Sequence, residues 1–173
     1  VHRLTIDVGA PFDEFRARYE HAVPPLDAAR LDALKAAAAD WQAILSAAAD
    51  NAPHGFIVYW SYDATPLMRL AGNSRRCVEY LMGNHTIAER MYRHDPAIML
   101  YAPLRTAIYD DAAGTTWFTI DQPSTRFASF DTPAITAVGL ELDRKLAALL
   151  DVLDAPVPPA LAGGGAVALE AKA

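Results

Sequence analysis

Behind Thr132 and Pro133, a good N-cap and a good first helical residue, a stripe of Ile135, Val138, Leu142, Leu146, Leu149 and Leu153 recurs at steps of three and four. A helix that is apolar along one side must lie on an apolar surface, and the chain ahead of it offers strands to provide one. Val1 to Val8 alternates Leu4, Ile6 and Val8 against Arg3, Thr5 and Asp7, the period of a half-buried strand. GFIVYWSYD, from Gly55, is rich in aromatic and β-branched residues and sets Phe56, Val58, Trp60 and Tyr62 on one face. Cys77 to Met82 reads as another strand, reached through the Gly72-Asn73-Ser74 turn. Ile98 to Tyr109 and Thr115 to Ile120 read as two more, joined through the turn DDAAG.

Helical signals occupy the remaining stretches. Pro11 permits a helix start, and Phe12, Phe15 and Tyr19 follow at helical spacing until Pro24 and Pro25 end it. From a cap at Asp27, the residues Leu31, Leu34, Ala38, Trp41, Leu45 and Ala48 form one stripe, predicting a single amphipathic helix over residues 27–50. Thr86 and Glu89 fit a capping box, predicting a short helix from there to about His94, before Asp95-Pro96 stops it. The expected fold is α+β: an antiparallel sheet of about five strands with amphipathic helices packed on one face. One domain is expected over residues 1–154. The stretch APVPPALAGGGAVALEAKA then reads as a flexible, dispensable Pro/Gly-rich tail over 155–173.

Charge and motif content narrow the function. Fifteen Lys and Arg against twenty-one Asp and Glu give a net charge of -6, which removes the electrostatic footprint of a general nucleic-acid binder. No apolar run reaches the roughly 20 residues of a spanning helix, and no signal pattern opens the chain, so a soluble protein away from the membrane is expected. The single cysteine, Cys77, permits no internal disulfide and fits the reducing cytoplasm. It reads as a small buried hydrophobe, and Ser124 has no nucleophile elbow around it. Neither a P-loop nor a GxGxxG motif is present.

The chain from about residue 55 to 150 resembles the domain of unknown function 302 family. The resemblance is carried by GFIVYWSYD, by the junction VEYLMGN, by HDPAIMLYAPLRTAIYDDAAG and by the final amphipathic helix. It implies a TATA-binding-protein-like α+β fold in the order β-α-β4-α, with the helix at 27–50 as an insertion. Family members usually follow the Gly-Asn pair with proline, where this chain has His85. The family brings no established reaction.

EYLMGNHTIAERMYRHDP, residues 79–96, concentrates the chemistry. His85 stands between a strand end and a helix start, where free backbone N–H groups can hold an anion. His94 lies nine residues on, which places the two imidazoles on roughly opposite faces of an unbroken helix and prevents them from sharing a metal. No metal site is expected. Non-covalent haem stays open, because His54, His85 and His94 lie near aromatics and near Met82, Met91 and Met99 in sequence, although no CxxCH motif exists. In IDQPSTRF a rigid polar loop is expected, from which Arg126, together with Arg105, would hold a carboxylate or phosphate.

Three readings follow. A small-molecule-binding domain would use Trp60, Tyr62, Tyr80 and Met82 as pocket walls and Asn84, His85, Arg105 and Arg126 as orienting groups. An enzyme would use the same pocket with His85 as its acid–base group. An interaction module would form a homodimer through a sheet edge or the helix at 27–50.

Overall fold

In the computed structural model, which describes residues 1–162, the alternating segments become β1 (Arg3–Asp7), β2 (Ile57–Asp63), β3 (Cys77–Gly83), β4 (Leu104–Asp110) and β5 (Thr116–Asp121). They form one sheet in the order β1-β5-β4-β3-β2, every neighbour antiparallel. One face is buried. It carries Leu4, Ile6, Val78, Tyr80, Met82, Leu104, Ile108, Phe118 and Ile120, while Arg3, Thr5, Asp7 and Arg105 are exposed on the other. The α+β sheet with helices packed against it is therefore the architecture that alternation and stripes predicted.

Two helices supply most of the cover: α1 (Phe12–Ala22) buries Phe12, Phe15 and Tyr19, and the Tyr19 hydroxyl meets the Thr106 hydroxyl at 3.2 Å inside the core. The final stripe becomes the helix at Pro133–Val152, with Ile135, Val138, Leu142, Leu146 and Leu149 buried. Thr132 caps nothing with its side chain, whose hydroxyl turns back to the Phe130 carbonyl.

The segment at 27–50 departs from expectation. It is α2 (Ala28–Ala36) and α3 (Trp41–Asn51), broken at Ala38, whose φ is +48°. Asp40 accepts the Ala43 N–H at 2.9 Å and so starts a second helix, while the left-handed Ala38 ends the first. No residue of α2 is buried, and Trp41 and Leu45 are exposed, so of the predicted single stripe only Ala48, in α3, is buried.

Four other boundaries move. A short helix, α4 (Thr65–Leu70), follows β2, and α5 (His85–Tyr92) starts one residue before Thr86, with Asn84 as the cap. Residues Pro96–Leu100 form a 3-10 turn, so β4 begins only at Leu104. The polar loop expected after β5 is instead a helix, α6 (Pro123–Phe127). The buried Asp143 of α7, the helix at Pro133–Val152, accounts for it. Its carboxylate accepts the Ser124 N–H at 2.9 Å, the Ser124 hydroxyl at 2.6 Å and a Gln122 amide hydrogen at 2.7 Å, supplying the cap that Gln122 itself does not. Gly139 lets the two helices approach: a Cβ there would lie 3.1 Å from Ser124 and from Phe127.

The predicted tail is also corrected for its first part. Residues Pro159–Ala162 form α8, Ala155 and Leu161 are buried against the core, and a Gln122 amide hydrogen is donated to the Ala160 carbonyl at 3.3 Å. The rest of the expected tail lies outside the described residues. Burying a leucine contributes about 2 kcal/mol, and leaving its site empty adds to the loss. Ending the chain at Asp154 should thus lower stability by about 2–4 kcal/mol in urea unfolding, and Leu161→Ala by about 2–3 kcal/mol. An unchanged midpoint for both would show that α8 adds nothing.

Candidate functional site

A cavity of about 350 Å³ opens at the end of β3, under α5 and the turn at 96–100. Its walls are apolar over most of their extent: Ile87, Ala88 and Met91 from α5, Met99, Pro103 and Leu104 from the approach to β4, and Phe127 and Leu142 from α6 and α7. Tyr92 and Met99, both about half exposed, also border it. The volume lies at the low end of the usual range for small-molecule sites.

One wall is polar, and it is built by the first residues of α5. The Asn84 side chain accepts the Thr86 N–H at 3.0 Å and the Thr86 hydroxyl at 2.7 Å, and donates to the Gly55 carbonyl at 3.2 Å. The Asn84 carbonyl accepts from Ile87 and Ala88. Tyr59 completes the wall, since its hydroxyl accepts the His85 N–H at 2.9 Å and meets His85 Nδ1 at 2.7 Å. Every N–H of the helix start is thereby satisfied, so the anion site expected there has no free donor.

The proton count assigns the imidazole. Nδ1 is the one acceptor that the Tyr59 hydroxyl hydrogen meets among the described residues, so the phenol donates to it, and neutral His85 then carries its proton on Nε2. Nε2 is buried and has no hydrogen-bond partner among the described residues. Burial holds the His85 pKa below its ordinary value, and burial, offset in part by the His85 N–H, pushes Tyr59 up to about 12. Both groups are neutral at pH 7. On its other side His85 borders a void of about 10 Å³ against the α2–α3 hairpin, roughly the size of one water.

Of the eight residues named from sequence as pocket walls and orienting groups, Asn84 and His85 line the cavity and the others do not. Trp60 and Tyr62 stack on each other, centroids 5.9 Å apart, on the exposed side of β2. Tyr80 and Met82 belong to the core: the Tyr80 ring lies 4.7 Å from that of Tyr19, and its hydroxyl donates to Glu20 at 2.8 Å. Burial, with the Glu20 charge beside it, raises the Tyr80 pKa far above the usual phenol value. Arg105 is exposed and pairs with Glu79 at 3.1 Å, while Arg126 pairs with Asp121 and covers the Tyr101 ring at 5.0 Å. No two-arginine clamp forms. Tyr59, Phe127 and Leu142 were not legible as site residues. The signal for Tyr59 was a break in alternation, because Phe56 and Ile57 are adjacent and both fully buried.

A family model described as "Domain of unknown function DUF302" matches residues 33–153. The chain belongs to the DUF302 family. Among solved structures it is similar to the crystal structure of an uncharacterized conserved DUF302 protein from Bacillus stearothermophilus, with 21% identity and a TM-score of 0.64. The alignment covers 88% of this chain and 98% of that one, which establishes a shared fold. No curated protein matches the chain.

The polar wall of this DUF302 domain suits haem poorly. An axial imidazole needs a bare Nε2, usually with Nδ1–H donating to an acceptor, and here Tyr59 holds the opposite tautomer. Met91 and Met99 do line the cavity with His85, but no Lys or Arg does so among the described residues to meet propionates. Nor, among those residues, is any group of three or more His, Cys, Asp or Glu placed to hold a metal ion.

Two consequences are measurable. Tyr59→Phe strands the His85 N–H and Nδ1 and should cost about 1–3 kcal/mol in urea unfolding. The His85 pKa is lower folded than unfolded, so its contribution is complete above about pH 6.5 and is lost as the pH falls from there through the depressed folded value. His85→Gln should flatten that part of the stability–pH curve, and a slope equal to that of the unmodified protein would refute the assignment.

Proposed function

We propose that this DUF302 domain binds a small, mainly apolar molecule in the cavity beneath α5, and that His85 donates a hydrogen bond from Nε2 to an acceptor on it. One observation carries the reading. In a network where every other polar group at the helix start is paired, the lining residue His85 keeps one donor without a partner among the described residues, set just behind the cavity wall so that a ligand reaches it through a small shift of the ring. A buried donor left unpaired costs about 1–3 kcal/mol, which a ligand carbonyl, ether or hydroxyl would recover. Binding rather than turnover is the stronger reading, because the groups of the lining best suited to acid–base work beside His85 are engaged: Tyr59 by His85, and Glu89 by Arg93. Among the described residues no helix is long and apolar enough to cross a membrane, and burial holds the Cys77 thiol above its usual pKa. Both fit an unreactive cysteine and a cytoplasmic home.

A fluorescent apolar probe such as N-phenyl-1-naphthylamine tests the proposal. It should bind the unmodified protein and be displaced by medium-chain ketones better than by alkanes of equal length. Ala88→Phe, which fills the cavity from α5, should weaken probe binding about tenfold or more while the unfolding midpoint stays within a few degrees. His85→Phe should keep the probe and lose the preference for ketones. If Ala88→Phe folds and binds the probe unchanged, the cavity is not the site.

A further inference from the structure

Strand β1 is an outer strand of the sheet, and β5 uses only half of its backbone. The Gln122 N–H donates to the His2 carbonyl at 2.7 Å and the Val8 N–H to the Thr116 carbonyl at 3.1 Å. With Leu4 opposite Ile120 and Ile6 opposite Phe118, these bonds fix the parity: even-numbered residues exchange hydrogen bonds with β5. Arg3, Thr5 and Asp7 therefore turn their N–H and C=O groups outward, and no backbone group meets them among the described residues.

The sheet's other edge differs. In β2 the Val58 N–H donates to the Pro24 carbonyl and the Val58 carbonyl accepts from Leu26, each at 2.9 Å, and a bulge follows directly. That edge is capped by its own chain and kinked, two ordinary defences of an outer strand. At β1 the only defence is charge, with Arg3 at one end and Asp7 at the other.

We infer that β1 pairs antiparallel with β1 of a second copy of this chain, about a two-fold axis at Thr5. Two features of the strand select this partner and this register. First, the outward backbone groups belong to the odd-numbered residues, so Arg3 opposite Asp7 of the second copy and Thr5 opposite its counterpart are all pairs that exchange two hydrogen bonds. Second, the charges complement each other only there. A shift by two residues sets Arg3 against Thr5, and a parallel arrangement brings like charges together. The side chains are available. Arg3 uses Nε for Asp121 at 3.2 Å and is otherwise exposed, and Asp7 spends one carboxylate oxygen on the Gly9 N–H at 3.0 Å. Since Leu4 and Ile6 are already buried within one copy, little apolar area is added. The dimer is thus a weak one, below the roughly 1,200 Å² of a standard interface and sensitive to salt.

Sedimentation velocity over a wide concentration range tests it. The unmodified protein should associate reversibly to a dimer, more weakly as salt rises. Arg3→Asp and Asp7→Arg should each raise the dimer Kd about tenfold or more, and the exchanged pair in one chain should restore it to within about threefold. Thr5→Pro removes an N–H that β5 does not use, so it should leave circular dichroism unchanged and abolish association. A protein that stays monomeric at every concentration would overturn the inference. So would an exchanged pair no better than its single variants, the deciding result if Thr5→Pro fails to fold.

Discussion

An extra residue in β2 decides which aromatic side chain reaches His85. Val58 faces Met82, but beyond the bulge Trp60 faces Leu81 and Ser61 faces Tyr80, so the strand gains one residue on its partner. Even-numbered residues lie on the helix-covered side before the bulge and on the exposed side after it. Tyr59, without a partner in the ladder, is released to bond the first residue of α5. Without the bulge the chain would keep strict alternation and Tyr59 would be one more cross-strand side chain. The site rests on this irregularity.

The order of the elements, the antiparallel pairing and the one-sided cover were legible because each strand with one wet face writes a period of two and each covering helix a period near 3.6. The helix at 27–50 misled because periodicity states only that a stripe exists, not that a neighbour covers it. Ala38, Trp41 and Leu45 fit the pattern and remain exposed. IDQPSTRF misled for a different reason: its cap comes from Asp143, in a helix later in the chain, and local rules cannot see it. Within the site, Asn84 and His85 were legible from the strand-to-helix junction. Trp60 and Tyr62 were not placeable, because in a sheet buried on one side the face of a residue is set by register and a single bulge reverses it, and Tyr80 and Met82 lie on the buried face but alternation does not tell core from cavity wall.

The same reasoning separates the charged residues. Arg105 and Arg126 look like ligand-binding cations when read alone, yet each has a carboxylate of the sheet's open face beside it, Glu79 and Asp121. Exposed pairs of this kind contribute little to stability, and among the described residues no Lys or Arg lines the cavity. The site is therefore electrically quiet, with a neutral imidazole, a neutral phenol and the Glu89 carboxylate paired with Arg93, and its selectivity has to come from shape and from one hydrogen bond.

Shape is itself under tight control. Pro103 lies over Gly83, where a Cβ would stand 3.4 Å from its ring, and Phe127 lies over Gly139, where a Cβ would stand at 3.1 Å. Both overlying side chains are cavity walls, and each is positioned by backbone approaching a residue that has no side chain. Phe127 is fixed further from behind, since α6 is tied through Ser124 to the buried carboxylate of Asp143. Walls held in this way cannot collapse inward without breaking buried hydrogen bonds or opening the α6–α7 contact. This side of the empty volume beneath α5 is thus held in shape by anchored side chains, and the half-exposed Tyr92 and Met99 form its adjustable border.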